Sequence, residues 1–247
     1  MFRYFYTDIL RVVSKVSFWI LALIPGLAIT GILMIQSSHY LSGYDVAIAL
    51  RDIAILPEVF SIFAGIAILI SVFHDDFKAK IMSNAIGSGI ARFKVFLAKM
   101  LEVAVLAVLI GGISAIVVIF SMLSLGIETR MLNYLTIFCI FLTEALFVVA
   151  IIALISPVMF WFQSSIAGII IYVIVATSAI YLLSFVLLNE DTVYLQSYLA
   201  SHALRETTES LSLGKEIVTN DYLVLMAYII IPSVVTMILF QYKDLEI

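Results

Sequence analysis

Few residues in this chain are of types that do chemistry, and their spacing excludes most reactions. Metal chemistry needs clustered ligands, yet the three histidines, His39, His74 and His202, stand far apart with no H-x-x-x-H pair. Asp75-Asp76 is an acidic doublet without the third acid of a metal–diphosphate motif. Ser88, in GSGIA, lacks the G-x-S-x-G spacing of a nucleophile elbow and has no base nearby. A phosphate-cradling loop needs G-x-x-x-x-G-K-[ST], whose backbone N–H groups hold the phosphates. The nearest string, LGKE at Leu213–Glu216, lacks the first glycine and the hydroxyl. No catalytic residue, metal site or bound nucleotide is expected of this chain itself.

Two features remain. One is the stretch KAKIMSNAIGSGIARFKVFLAKML (Lys78–Leu101), which holds Lys78, Lys80, Arg92, Lys94 and Lys99 and no acid. The other is a pair of acids in apolar surroundings, Glu58 and Glu144.

The elements that carry them are read from hydrophobicity. The chain has 247 residues, 64% hydrophobic and 12% charged, against about 25% charge in a soluble domain. Its polar groups are too few to cover a surface in water, so the expected solvent is largely lipid. A membrane helix needs roughly 20 mostly apolar residues. Val16–Ile35, Ile53–Phe73, Val103–Leu125, Leu132–Ile155, Ile166–Leu188 and Leu223–Phe240 meet that need. Pro25-Gly26 predicts a kink in the first span, and Ser156-Pro157 predicts a break after the fourth. Cys139 is the single cysteine and lies in an apolar run, so no disulfide within one chain is possible. No cleavable signal peptide is recognised, because the first apolar run is long and lacks a small-residue cleavage site. The expectation is an all-α, polytopic membrane protein with six transmembrane helices, a single domain over residues 1–247.

Lys and Arg orient it. With six spans both termini share a side, and that side holds nine of the thirteen basic residues. The positive-inside rule then makes both termini cytoplasmic, together with the basic stretch. The opposite face carries nine acids against four bases. Residues 1–15 read as an interfacial amphipathic helix, with Phe2, Phe5, Ile9, Val12 and Val16 on one face and Arg3, Asp8, Arg11 and Lys15 on the other. The outer segment 189–221 has an amphipathic stretch around Val193–Leu211. It reads either as short helices dipping into the outer leaflet or as an exposed loop.

Residues 74–102 form the cytoplasmic module. His74–Asp76 marks the exit to water, and a helical pattern runs from Phe77 to Ala85. Gly87–Gly89 supplies a turn, because glycine tolerates the backbone angles of sharp turns. A second helix from about Ile90 feeds into the third span. The apolar stripe Phe77, Ile81, Ile86 and Ile90 exceeds what a solvated loop needs. The plainer reading is a basic loop whose lysines only fix topology.

Phe73–Glu102 resembles the loop between the second and third spans of type-2 ABC transporter permeases, in particular the small Gram-positive branch that handles bacteriocins and other peptides. The resemblance lies in the acidic exit Asp75-Asp76, the turn Gly87–Gly89, the pair Ala91-Arg92 and the late lysine Lys99. The chain departs from many relatives in having Ala79-Lys80 where they have Gly-Thr. The resemblance implies a coupling helix that docks in a groove of a partner ATPase through Phe77, Lys78, Ile81, Gly87, Gly89, Arg92 and Lys94. Arg92 would lock the module to its own N-terminal helix. It also implies an ABC ATPase dimer that binds the ATP and Mg, a second permease half, and a bacterial cell-membrane location. The substrate would be a peptide-like amphipathic molecule, and nucleic acid is no partner. A cation or small-drug exporter of the same architecture is the alternative within transport. A non-transporting membrane scaffold or sensor is the alternative outside it.

Glu144 allows two readings. It is a protonated acid hydrogen-bonded to a neighbouring Ser, Thr or Tyr, or it lines a translocation path. Glu58, nearer the outer surface and after Pro57, reads first as a solvated acid and is the second candidate for that path. Ala107, Gly111 and Ala115 form a small-residue ladder that permits close helix packing.

Overall fold

The computed structural model describes residues 2–39, 45–127, 129–177, 199–215 and 219–242, which are helical with no strand among them. In order, the helices are α1 (Phe2–Val13), α2 (Val16–His39), α3 (Val46–Ile55), α4 (Pro57–Ile68), α5 (Asp75–Lys78), α6 (Ile81–Gly87), α7 (Arg92–Ser124), α8 (Met131–Phe162), α9 (Ser165–Ala176), α10 (Ala200–Ser212) and α11 (Thr219–Tyr242). A π-helical stretch, Leu69–His74, joins α4 to α5. Among the described residues five helices are long and apolar enough to cross a membrane: Val16–His39, Val59–Lys78, Arg92–Ser124, Met131–Phe162 and Thr219–Tyr242. The span expected at Ile166–Leu188 begins as α9, and its second half lies outside the described residues.

Helix α8 is the axis of the bundle and packs against α4, α7, α9, α10 and α11. The small-residue ladder explains one of these seams. A Cβ on Gly111 would stand 3.0 Å from the Phe141 carbonyl, so α7 and α8 approach as closely as a missing side chain allows. Gly26 does the same for α2 against Ser114 and Val117 of α7. Gly65 is tighter still, because Tyr172 of α9 fills its side-chain space and donates its hydroxyl to the Ser61 carbonyl at 2.6 Å. The outward surfaces are apolar. Ile20, Leu27 and Ile35 of α2, Phe120 of α7, and Ile230 and Ile231 of α11 are each more than half exposed. Such a continuous apolar exterior is foreign to water-soluble monomers.

Four expectations are corrected. Ser156-Pro157 does not end the fourth apolar helix; α8 runs on to Phe162 and stops at Gln163, whose φ is 50°. Pro157 has no N–H for the Ala153 carbonyl, and Ser156 Oγ donates to that carbonyl instead, at 2.8 Å. The same hydroxyl meets Thr236 Oγ1 of α11 at 2.6 Å. Second, the helix of the second span starts at Pro57 rather than Ile53. Residues Ile53–Ile55 belong to α3, which Asp45 caps by accepting from the Ile48 N–H and which packs against α10. Third, the helix predicted from Phe77 to Ala85 is broken at Ala79-Lys80, where Lys80 takes a φ of 51°. Fourth, the two faces of α1 do not divide cleanly between lipid and water: on the polar face Arg3 is exposed, Arg11 and Lys15 are half-buried, and Asp8 is buried in the protein. Asp8 and Val12 are buried while Tyr6 and Leu10 are 64% and 49% exposed.

Within the segment 189–221, Ala200–Ser212 forms α10, with Ala203, Leu204 and Thr207 buried against the bundle. This favours helices over a loop from Ala200 onward. Val193 to Tyr198, including Tyr194, Leu195 and Tyr198, lie outside the described residues.

Candidate functional site

The charged face of α1 meets the base of the basic module. Asp8, Arg11 and Lys15 recur at three- and four-residue spacing, so they share one helix face. Arg11 Nη2 lies 2.7 Å from Asp8 Oδ1 and 2.5 Å from Asp76 Oδ1. Lys15 pairs with Asp75. From α7, Lys99 enters the same space with its side chain fully buried. Its Nζ pairs with Asp8, with Asp76, and with Glu102 one turn along, the last at 2.9 Å. Tyr4 lies over the group, with Lys99 Nζ 5.9 Å from its ring centroid.

This is an ionic latch across three elements: α1, α5 and the first turns of α7. At its heart three buried carboxylates (Asp8, Asp76 and Glu102) meet two cations, the buried Lys99 and the half-buried Arg11. A buried charge is tolerated only when paired and hydrogen-bonded, so loss of either cation leaves the carboxylates uncompensated. Burial disfavours the Arg11 charge, but Asp76 and Asp8 more than restore it and raise its pKa. Burial likewise raises the Tyr4 phenol, against the pull of Lys99.

Beneath the module lies an aromatic cluster. Phe160 of α8 is its hub, 5.0 Å from Phe240, 5.3 Å from Phe96, 6.0 Å from Phe73 and 6.1 Å from Phe77, each edge to face. Phe77 also stacks on Phe73 at 6.0 Å. The module therefore rests on an ionic latch at one side and an apolar floor below.

The expected coupling residues fall into two groups. Phe77, Ile81 and Arg92 are partly buried, while Lys78, Gly87, Gly89 and, in the first turn of α7, Lys94 are exposed. Phe77, with Ile86 and Ile90, packs against the chain's own core, so that stripe is not a free face for a partner groove. Gly87 closes α6 without a positive φ, whereas Gly89 needs one, at 93°. The lock expected of Arg92 is made by Lys99 and Arg11. Arg92 Nη1 donates to the carbonyls of Phe240 and Gln241, at 3.1 Å each, and so caps the end of α11. The latch residues Asp8, Arg11 and Glu102 were legible only as a pattern. They put opposite charges on α1 and the Asp75-Asp76 exit, and a Lys-x-x-Glu pair at the start of an apolar span.

Glu144 stands apart. It is fully buried in α8, and neither carboxylate oxygen has a hydrogen-bond partner among the described residues. The partnership expected with a neighbouring hydroxyl falls instead to Thr143, whose Oγ1 lies 3.1 Å from the Tyr222 hydroxyl. Ala145 and Leu146 next to it line an apolar groove, but Glu144 does not. Glu58 lies in the first turn of α4, and its side chain is outside those described. Among the described residues no three His, Cys, Asp or Glu side chains group as a metal site. No protein-family model and no curated protein matches the chain.

Proposed function

We propose that this chain is the membrane permease subunit of an ATP-driven exporter, resembling the type-2 ABC permeases, in a bacterial cell membrane. It has six spans and cytoplasmic termini, and α1 lies in the headgroup region. The module Asp75–Lys94 is the coupling element. A partner ATPase dimer binds ATP and Mg, and a second permease half completes the path for a peptide-like amphipathic substrate.

The observation that carries this reading is the latch. A loop that served only topology would need its lysines in water. Here Lys99 is buried among Asp8, Asp76 and Glu102, while Lys78 and Lys80 remain exposed at the tip. Force applied to that tip passes through rigid, paired charges to α1 and to the base of α7, a single helix from Arg92 to Ser124. The π-helical Leu69–His74 lies where the second span enters the module, and such segments tend to mark functional sites. Packed Phe77 fixes the stalk, so the basic tip is the docking surface, and opposite charge on the ATPase sets its register.

The deciding experiment is co-purification of the tagged full chain with an ATPase, with hydrolysis measured in the complex. Lys78→Glu should abolish stimulation of hydrolysis while leaving the chain inserted. A complex with no ATPase, in membranes where the chain is abundant, would favour the scaffold reading.

A further inference from the structure

An apolar groove of about 510 Å³ runs along the outside of the bundle between α7, α8 and α11. Leu97, Leu101 and Val108 form one wall, Ile230 and Val234 the other, and Ala145 lies on its floor. The five wall residues are 39% to 58% exposed, so the groove is open to whatever surrounds the bundle. Among the described residues Ser233 is the single polar one lining it.

Its length and its ends are informative. On α7 the lining runs from Phe96 to Val108 and on α11 from Met226 to Met237, about 16 to 18 Å at 1.5 Å per residue. That is close to one leaflet, half of a hydrocarbon core about 30 Å thick. A spanning helix from a second copy would need a groove of twice that length. One turn below Leu97, at the end nearest the basic module, Lys94 stands exposed beside the Phe93 ring. Across the mouth, Arg92 reaches the carbonyls of Phe240 and Gln241 on α11. An apolar channel one leaflet long thus ends at two cations.

We propose that this groove binds an anionic phospholipid of the leaflet on the side of the basic module. One acyl chain lies against Leu101 and Ile230, and the phosphate lies at Lys94 and Arg92. The chemistry is complementary at both ends, since the chain is apolar along the groove and the headgroup negative at its mouth. The inference rests on the membrane reading and not on transport. Lipid retention is measured without an ATPase, so its failure and the failure of the coupling proposal are separate results.

The test is native mass spectrometry of the full chain, exchanged from detergent into mixtures of phosphatidylglycerol and phosphatidylcholine. One phosphatidylglycerol should be retained per chain in preference to phosphatidylcholine. Lys94→Ala should weaken retention about five-fold, the worth of one basic residue near an anionic headgroup. Ala104→Trp, which fills the groove, should abolish it, and Lys78→Ala should not change it. Equal retention of both lipids by the wild-type chain would overturn the proposal, as would undiminished retention in Lys94→Ala. In a Cys139→Ser background, efficient disulfide crosslinking of Val108→Cys between two chains would give the groove to a second copy and also overturn it.

Discussion

Lys99 of α7 is paired with Asp8 of α1, 91 residues earlier in the chain, and both side chains are withdrawn from solvent. The pair ties the first helix of the protein to the base of a long apolar helix. Removing one member of such a buried group leaves the others uncompensated, at a cost of about 3 to 5 kcal/mol. Lys99→Met should therefore strip two cations against three carboxylates down to one, and lower the unfolding temperature in detergent sharply. Glu102→Gln should be mild. It removes the excess negative charge, and Glu102 Oε1 has no hydrogen-bond partner among the described residues. Equal losses in the two variants would show that charge balance does not hold the latch.

The parts of this architecture that sequence made legible are those written in long apolar runs. Val16–His39 and Thr219–Tyr242 follow directly from hydrophobicity. The turn at Gly89 follows from glycine's backbone freedom, and the close α7–α8 seam from the spacing of Ala107, Gly111 and Ala115. The latch was legible only as a pattern of charges and not as a pairing, because pairing depends on which charged faces the fold brings together. An amphipathic pattern in α1 says that two faces differ, but not that Asp8 faces inward. Pro157 misled for a local reason, since the Ser156 hydroxyl supplies the hydrogen bond that proline removes.

The two glycines of the module should behave differently. Gly87 ends α6 with no heavy atom within 4 Å of a built Cβ and no positive φ. Gly87→Ala should leave folding and ATPase stimulation unchanged. Gly89 also has open space, but its φ of 93° is one that side chains rarely adopt. Gly89→Ala should strain the turn by about 1 to 3 kcal/mol and reduce stimulation. Loss of stimulation in Gly87→Ala alone would reverse the assignment.

Topology can be read by labelling. Ser88 is exposed at the module tip with a φ of −78°, and Leu213 is 50% exposed after α10. Cysteine at either site avoids the positive φ of Gly89 and Gly214. In a Cys139→Ser background, Leu213→Cys should react with an impermeant maleimide in intact cells. Ser88→Cys should react only after the membrane is opened. Labelling of both from outside would overturn the proposed orientation and the six-span count together.

Glu144 gives the sharpest stability test. An acid at mid-bilayer costs about 2.5 to 3.5 kcal/mol unless it finds a partner or a wet cavity. Here it is fully buried, without a partner among the described residues, and it does not line the groove beside it. Glu144→Leu is close in volume and removes the polar group, so it should stabilise the chain against unfolding in detergent by about 2 kcal/mol. Glu144→Gln keeps an amide that also needs partners, and should fall between leucine and the wild type. A hydroxyl donor to Glu144 would produce the opposite order, because leucine would strand that donor. The same variants then separate structure from transport. Export that survives in Glu144→Leu, with raised stability, would make the carboxylate dispensable to the path. Export lost in both variants, in chains that assemble normally, would show that the carboxylate serves transport at a cost in stability. We expect the stability order leucine, glutamine, wild type, and a wild-type chain more stable than Glu144→Leu would sink the unpartnered assignment.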